Sequence, residues 1–457
     1  MAEFGGRVRS VWRRTLSLSW PIAIQQTFNT LMRTVDLVVT GLFSPAAVAA
    51  VGLADLYAQV PLRIGLGLGS GAIALSSQDT GRGAEATRDR AITQALLIGF
   101  AAGIPVTIVG LTLSEPLIAL LGAEPDVVEI GGRYLALVLA AAPMRIVGLV
   151  GARSLQGTGD TRTPMLVNVG ANAINIAATI GLGLGLGVLP ELGIVGVGLG
   201  TAISRTVEGG AITVAIATER TDLSFGRPRS FTITRQLVAV SLPNVAEGMS
   251  TSLANFPFNA LLLTFGTDVT AAYHIGRRSY QQVSGPLYRS YSVAASIVVG
   301  QELGDGRPDD ARFSGLAMTA LSVLTLGLAG GILIVDASRI AGLFTDDPAT
   351  LEYAATFTRV FGVSMFWFGF FFPLSGSLRG AGDTRTPFYA RLTGTVGFLL
   401  GCSYLVGVTF GYGLPGVYAG IILNYAWWTV VVGAGFLWGD WADTAATMMS
   451  ERASDTG

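Results

Sequence analysis

A segment of twelve residues occurs twice in this chain of 457 residues, and that repetition limits the fold more than any other feature. Residues 153–164 return at 376–387, and nine of the eleven positions from 154 to 164 are identical in the second copy. The same offset of 223 residues places 78–83 on 301–306. Because two separated segments match in one register, the chain is a duplication, and each half is expected to repeat the fold of the other.

Long apolar segments indicate that each half spans a membrane several times. Apolar residues make up 51% of the chain and charged residues 13%, against roughly 25% charged in an average soluble protein. A bilayer core of about 30 Å requires about 20 apolar residues of helix. Twelve segments reach this length, six in each half: 15–43, 46–76, 90–113, 128–152, 163–188, 193–217, 234–266, 268–300, 311–336, 350–376, 386–411 and 414–439.

The distribution of arginine predicts the orientation of these spans. The chain has no lysine, and its arginines precede span one and recur in every second loop, for example Arg82, Arg88, Arg162, Arg307 and Arg385. Because positive loops stay in the cytoplasm, both termini are expected there, in a multi-pass protein of the plasma membrane. Six spans is an even number, so the two halves enter the membrane in the same direction.

These observations predict an all-α membrane protein with twelve transmembrane helices in two pseudo-symmetric six-helix lobes, related by an axis along the membrane normal. The expected divisions are an N-terminal lobe at 1–218, a cytoplasmic linker at 219–235, a C-terminal lobe at 236–440 and a short cytoplasmic tail at 441–457. The tail is polar, and we expect it to be disordered. In the duplicated loops, Thr163-Pro164 and Thr386-Pro387 are expected to cap the helices that follow.

Composition excludes several classes of function. With one cysteine, Cys402, and one histidine, His274, the chain offers no credible zinc, haem or iron–sulfur site, so no cofactor is expected. The net charge of −1 does not indicate the basic surface that nucleic-acid binding requires, so no nucleic-acid partner is expected. We expect the protein to be a monomer in the lipid bilayer. The sequence lacks the clusters of histidines or loop carboxylates that the chemistry of an integral membrane enzyme usually needs, which argues against that class.

Carboxylates inside the spans are candidates for function, because burying a charge in the bilayer is costly. Asp36 lies about 10 Å below the outer end of span one, at about 1.5 Å per residue, and Asp55 enters span two to a similar depth. Such a group can exchange a proton or bind sodium while it is open to water. The alternative interpretations are that Asp36 pairs with Arg33 on its own helix and that Asp55 caps a helix end.

Glu247 lies four residues after Pro243 in span seven, and Pro21 occupies the matching position in span one. Proline removes a backbone hydrogen bond and favours a kink, so Pro21 and Pro243 are predicted gating positions. Glu247 is a second candidate for cation coupling, and an interhelical hydrogen bond would explain it nearly as well.

Polar residues of span five form a stripe on one helical face. Asn168, Asn172, Asn175 and Thr179 recur at spacings of four, three and four residues. Inside a bilayer this stripe must face protein or water. Thr201 in span six adds another hydroxyl, and oxygen ligands of this kind suit sodium.

These residues give the chain its resemblance to a known family. The stretch from Pro21 to Asp36, the sequence Ala49-Ala50-Val51-Gly52-Leu53 and both Gly-Asp-Thr-Arg-Thr-Pro loops resemble the multidrug and toxic compound extrusion family, in the prokaryotic branch named for a DNA-damage-inducible protein. The resemblance covers nearly the whole chain. It implies two six-helix lobes around a central cleft, and efflux of organic molecules driven by cation influx through alternating access.

The resemblance also implies an ion site at Asp36, Asn175 and Thr201, with sodium as one candidate ion. Where the family has an aspartate four residues after the asparagine, this chain has Thr179. Losing that charge leaves proton coupling, sodium coupling with fewer charges, and a role shared with Glu247 all open.

We therefore predict a secondary active antiporter that exports amphiphilic or cationic organic compounds, driven by proton or sodium influx. The predicted substrate contacts are Asn29, Asn172, Met249 and Phe256. The alternative within the same superfamily is a flippase for lipids or lipid-linked oligosaccharides, which would need an arginine-rich cleft for a diphosphate headgroup.

Overall fold

A computed structural model describes residues 2–218, 220–228 and 230–454, and all regular secondary structure in these ranges is helical. The helices are α1 (Ala2–Gly41), α2 (Pro45–Gly81), α3 (Glu85–Ala119), α4 (Pro125–Ala140), α5 (Ala142–Thr158), α6 (Arg162–Leu184), α7 (Ile194–Ala217), α8 (Phe231–Leu263), α9 (Thr267–Gly304), α10 (Pro308–Val335), α11 (Ala337–Ala341), α12 (Pro348–Gly380), α13 (Arg385–Gly394), a π-helix (Thr395–Thr409), α14 (Leu414–Trp438) and α15 (Trp441–Ser454).

Ten of the twelve predicted spans each lie on a single helix, and the other two lie on consecutive helices, 128–152 on α4 with α5 and 386–411 on α13 with the π-helix. This agreement confirms the predicted fold class. Within the described ranges, seven helices are long and apolar enough to cross a membrane by themselves: α2, α3, α6, α10, α12, α13 with the π-helix, and α14. The bent pair of α4 and α5 makes an eighth. The remaining predicted spans lie on α1, α7, α8 and α9, which carry more of the polar and charged side chains described below.

Span four is broken at Ala141, where α4 and α5 meet at 47°. Pro143 has no backbone N–H, so it cannot donate to the carbonyl of Leu139 four residues earlier. The hydroxyl of Thr107 donates to that carbonyl instead, at 2.9 Å. A hydroxyl on a neighbouring helix therefore satisfies the group that the proline leaves open, as irregular backbone in a membrane requires.

The duplicated loops adopt the same geometry in both repeats. Gly159 and Gly382 take positive φ angles of 99° and 93°, which favour glycine. Asp160 Oδ1 accepts from the N–H groups of residues 162 and 163 at 3.1 and 2.9 Å. Asp383 Oδ1 accepts from residues 385 and 386 at 3.1 and 3.0 Å. The prediction that Thr163 and Thr386 cap these helices was wrong, because the aspartate three residues before each threonine accepts from the free N–H groups instead.

One further cap lies in the loop before α12. Asp347 Oδ2 accepts from the backbone N–H of Thr350 at 2.8 Å. This donation holds the pKa of the Asp347 carboxyl below its usual range, because it favours the charged form.

The second duplicated segment packs α2 against α9 through glycines that match each other under the 223-residue offset. A Cβ atom on Gly81 would overlap the carbonyl of Gln301, and one on Gly304 would overlap the carbonyl of Gln78. Both positions therefore require glycine. The reciprocal pairing is what a duplication with pseudo-two-fold symmetry predicts.

The chain divides into two compact units. The first contains residues 1–23, 77–83 and 242–451, and the second contains 24–76, 84–241 and 452–457. In the first unit, Arg7 pairs with Asp310 at 2.7 Å, and Trp12 donates to the carbonyl of Ala317 at 2.8 Å. The start of α1 is thus held by helices of the second sequence repeat.

The tail was predicted to be disordered, and this was wrong for residues 441–454, which form α15. The Trp441 ring stacks on Phe436 with centroids 5.0 Å apart, and its N–H donates to the Phe436 carbonyl at 2.8 Å. Arg452 is fully buried and donates to Gln236 Oε1 at 2.7 Å. The sequence analysis missed the helix because the segment is mostly polar, and the packing of Trp441 and Arg452 cannot be seen from composition. Residues 455–457 of the predicted tail lie outside the described residues.

Candidate functional site

Asp36 of α1 meets two donors from α6. The hydroxyl of Thr179 donates to Asp36 Oδ1 at 2.9 Å. The amide of Asn175 is satisfied when its nitrogen donates to the same oxygen at 3.0 Å and its oxygen accepts from the backbone N–H of Thr201 at 3.2 Å. Helical periodicity explains the convergence, because residues 175 and 179 of α6 are one turn apart on one face.

The structure therefore brings four of the predicted coupling residues together: Asp36, Asn175, Thr179 and Thr201. Asn175 and Thr179 are fully buried, Thr201 is 8% exposed, and Asp36 is half-buried. Asp36 is therefore held by neighbouring side chains and keeps some accessible surface.

No ion pair joins Asp36 to an arginine within the described ranges, so the pairing with Arg33 considered from the sequence is not formed. Arg205, Asp55 and Arg33 act on Asp36 only through longer-range electrostatics. Asp55 lies in the field of Arg33 and Arg145, and Arg145 donates to the carbonyl of Ala58 at 3.0 Å. Arg205 and Arg33 thus balance part of the charge of Asp36 from a distance, and Asp36 forms an ion pair with neither of them.

A second polar network continues along the α6 stripe. Asn172 donates to Asn29 Oδ1 at 3.0 Å and to Asn168 Oδ1 at 2.8 Å. Asn168 donates to Glu208 Oε1 at 2.6 Å, and Glu208 Oε2 pairs with Arg205 at 2.8 Å. Of the two predicted substrate contacts in this network, Asn172 is fully buried in this conformation and Asn29 is half-buried.

Sequence reasoning missed Glu208 as a member of this network. The signal was present, because Arg205 and Glu208 are three residues apart in an apolar span, a spacing at which opposite charges meet on a helix. A charged pair inside an apolar segment is expected to face protein or water.

Glu247, in the first unit, has different surroundings. Arg379 reaches both carboxylate oxygens, at 2.9 and 2.8 Å, and Arg391 Nε lies 3.0 Å from Oε1. Arg391 also stacks on the ring of Trp428, 4.7 Å from its centroid. Glu247 itself is only 5% exposed. Two arginines therefore hold this carboxylate as an anion.

The remaining predicted positions are also in the first unit. Met249 and Phe256 are 51% and 62% exposed, so both offer apolar surface to a substrate or to lipid. Pro21 and Pro243 lie inside α1 and α8, which both continue through them as helix. Their gating role stays a prediction.

A known protein family matches this chain once in each of its two repeats. The sequence profile of the MatE family matches residues 21–180 and 243–412, once in each half. The chain belongs to the MatE family. It is therefore a multi-pass membrane protein of a transporter family, as the resemblance predicted.

Relatives and solved structures of this family align over almost the full chain. A probable multidrug resistance protein NorM of Rhodopseudomonas palustris is 30% identical over 446 residues, covering 94% of this chain and 92% of the relative. A probable NorM of Thermotoga maritima is 25% identical, with 98% and 97% covered. The solved structure of an outward-facing multidrug resistance MATE transporter superposes with a TM-score of 0.85 at 23% identity, covering 97% and 96%. The fold is therefore that of MATE transporters.

Proposed function

We propose that this MatE protein is a secondary active antiporter that exports amphiphilic or cationic organic compounds, driven by cation influx. Relatives named for multidrug resistance support the substrate class. The arginine-rich loops support a plasma-membrane orientation with both termini in the cytoplasm. The twelve-span duplicated fold supports alternating access by a single chain, acting as a monomer without cofactor or nucleic acid.

The observation that carries the proposal is the bonding of Asp36. Its carboxylate accepts from a neutral hydroxyl and a neutral amide, Thr179 and Asn175, while part of its surface stays accessible. A carboxylate with neutral partners can lose its charge without leaving a buried cation unpaired. Binding of a cation at Asp36 and binding of substrate can then favour opposite conformations, which is all that coupling requires.

The geometry favours a proton over sodium as the coupling ion. Sodium favours a site with several oxygen ligands and enough negative charge, whereas Thr179 is neutral and donates its hydroxyl proton to Asp36. Asp36 would therefore be the single carboxylate of a sodium site at Asp36, Asn175 and Thr201. A proton needs only one carboxylate oxygen to bind.

Three arginines are poor candidates for the headgroup site that the flippase alternative requires. Arg205 is paired with Glu208, and Arg379 and Arg391 are paired with Glu247. These three guanidinium groups are committed to carboxylates. They are not a ready receptor for a diphosphate headgroup.

Reconstituted vesicles test the proposed function. Purified protein in proteoliposomes would be loaded with a fluorescent organic cation, and inward gradients of protons and of sodium would be imposed one at a time. We expect the proton gradient to accelerate efflux and the sodium gradient to have no effect at constant pH. Efflux that responds to neither gradient would contradict the proposal.

A further inference from the structure

Arg277 of α9 has a different role from the other arginines described above. It lies ten residues after the helix begins at Thr267, about 15 Å along the axis at 1.5 Å per residue. The predicted span 268–300 encloses it. An arginine at this depth needs a partner or access to water, because a bare charge in the bilayer is costly.

The partners of Arg277 are neutral. Its guanidinium donates to the side-chain oxygen of Asn255 on α8 at 3.1 Å. The hydroxyl groups of Tyr273, Tyr280 and Tyr425 lie near enough to interact with it electrostatically. No ion pair joins Arg277 to a carboxylate within the part of the chain that the structure describes. Arg205, Arg379 and Arg391, by contrast, each bind a glutamate.

Aromatic packing fixes the surroundings of this cation. Tyr280 stacks on Phe361 with centroids 4.6 Å apart, and Tyr273 lies 5.9 Å from the same ring. Tyr425 packs edge-on against Phe368 at 4.6 Å. Both tyrosines of α9 are buried, whereas Arg277 and Asn255 keep accessible surface. Packing therefore fixes the tyrosines near Arg277, while Arg277 and Asn255 keep surface that a ligand can reach.

We propose that Arg277 and Asn255 form an anion-binding subsite that takes the carboxylate of an amphiphilic aromatic acid or zwitterion. The planar guanidinium matches a carboxylate with two parallel hydrogen bonds, and the Asn255 amide can add a donor. An incoming carboxylate supplies the counter-charge that the chain itself does not. This inference deepens the proposed function and rests on it for the transport step only, because it extends the substrates from cations to compounds carrying a carboxylate.

Direct binding tests the subsite without requiring transport. Three probes share one ring system: 9-anthracenecarboxylate, 9-anthracenemethanol and 9-anthracenemethylammonium. Their dissociation constants would be measured by fluorescence polarisation on the purified full chain in detergent. The wild type is expected to bind the carboxylate at least about 10-fold more tightly than the alcohol, because a hydrogen bond to a charged group exceeds a neutral one.

Variants then locate the site. Arg277→Gln should weaken carboxylate binding about 10- to 100-fold and leave the alcohol unchanged, because it removes the charged fork. Arg277→Lys keeps the positive charge and loses the planar guanidinium, so its affinity for the carboxylate should lie between those of the wild type and of Arg277→Gln. Arg359→Gln is the matched control, since Arg359 is an exposed arginine of the same unit that donates to Ser338 at 3.3 Å, and it should bind like the wild type.

Two results would overturn the inference. Equal affinity of the wild type for carboxylate and alcohol would do so whether or not the variants fold. So would an Arg277→Gln variant, monomeric on size exclusion, that keeps the wild-type affinity for the carboxylate. Neither result would contradict the proposed function. The proposed function is tested separately, and it fails if neither ion gradient changes the efflux of a fluorescent cation.

Discussion

The two repeats solve the same structural problem with different chemistry. Under the repeat offsets, Gln25 matches Glu247, Gln156 matches Arg379, and Asn168 matches Arg391. In the first repeat, Gln156 donates to Gln25 at 3.5 Å, a contact between neutral amides. In the second, both arginines pair with the glutamate. The contact between residues 156 and 25 thus recurs between 379 and 247, as a neutral pair in one repeat and as part of an ion cluster in the other.

The acid of the first repeat lies elsewhere and is bonded differently. Asp36 accepts from Thr179 and Asn175, and its match in the second repeat is the buried Phe258. An acid held by two arginines is stabilised as an anion, whereas an acid held by neutral donors can change its charge at low cost. From this comparison we expect Glu247 to stabilise the fold, and coupling remains the role that we propose for Asp36.

The largest expected effect comes from neutralising Glu247. Glu247→Gln leaves two part-buried guanidinium groups without their anion, so the free energy of unfolding should fall by about 3 kcal/mol, the lower end of the range for breaking a buried pair. Asp36→Asn should cost about 1 kcal/mol or less, because the asparagine oxygen can still accept from Thr179. Thermal unfolding of both variants in detergent would measure the difference.

A triple variant provides the control for that loss. Glu247→Gln with Arg379→Gln and Arg391→Asn copies the residues of the first repeat into the second. It should recover most of the stability, since replacing a whole buried ion cluster is often close to neutral. If Glu247→Gln alone unfolds at the wild-type temperature, the structural role given to Glu247 is wrong.

An intermediate effect is expected at Asn168. Asn168→Leu removes the donor to Glu208 at 2.6 Å and the acceptor for Asn172 at 2.8 Å. Stability should fall by about 1–3 kcal/mol, because a buried charged acceptor loses a partner. Leu166→Ala on the same helix is the control, since Leu166 is 65% exposed, and it should unfold close to the wild type. Equal melting temperatures for the two variants would remove Glu208 from the structural network.

The smallest effect concerns the choice of ion. Thr179→Asp places a second carboxylate beside Asp36, so sodium should stabilise the variant by about 1 kcal/mol at several times its dissociation constant. Thr179→Asn, similar in size and uncharged, should not respond. The measurement is the melting temperature with and without sodium at fixed ionic strength. Sodium that stabilises the wild type equally would contradict the preference for a proton.

Periodicity explains why much of this site was predictable. The spacing of Asn168, Asn172, Asn175 and Thr179 places them on one helical face, and a polar face inside a bilayer must meet other polar groups. The twelve spans follow from length and apolar content in the same way. Local sequence rules determine both, so neither required coordinates.

Partners that are distant in sequence were not predictable. Glu247 is separated from Arg379 by 132 residues, and no rule for a single sequence pairs them. The sequence also left open whether Asp36 binds Arg33, because the two share a helix at a spacing that permits a pair. Only the packing of α1 against α6 decides that Asp36 faces Thr179 instead. The helix at 441–454 was missed because its two anchors, Trp441 and Arg452, are surrounded by polar residues.

The most direct test of the central claim separates substrate movement from its coupling in one variant. Asp36→Asn, reconstituted beside the wild type, would be assayed for exchange of labelled substrate at equal ion concentrations and for efflux driven by a proton gradient. The account predicts wild-type exchange and driven efflux no greater than that of empty vesicles. Driven efflux at the wild-type rate in Asp36→Asn would contradict it.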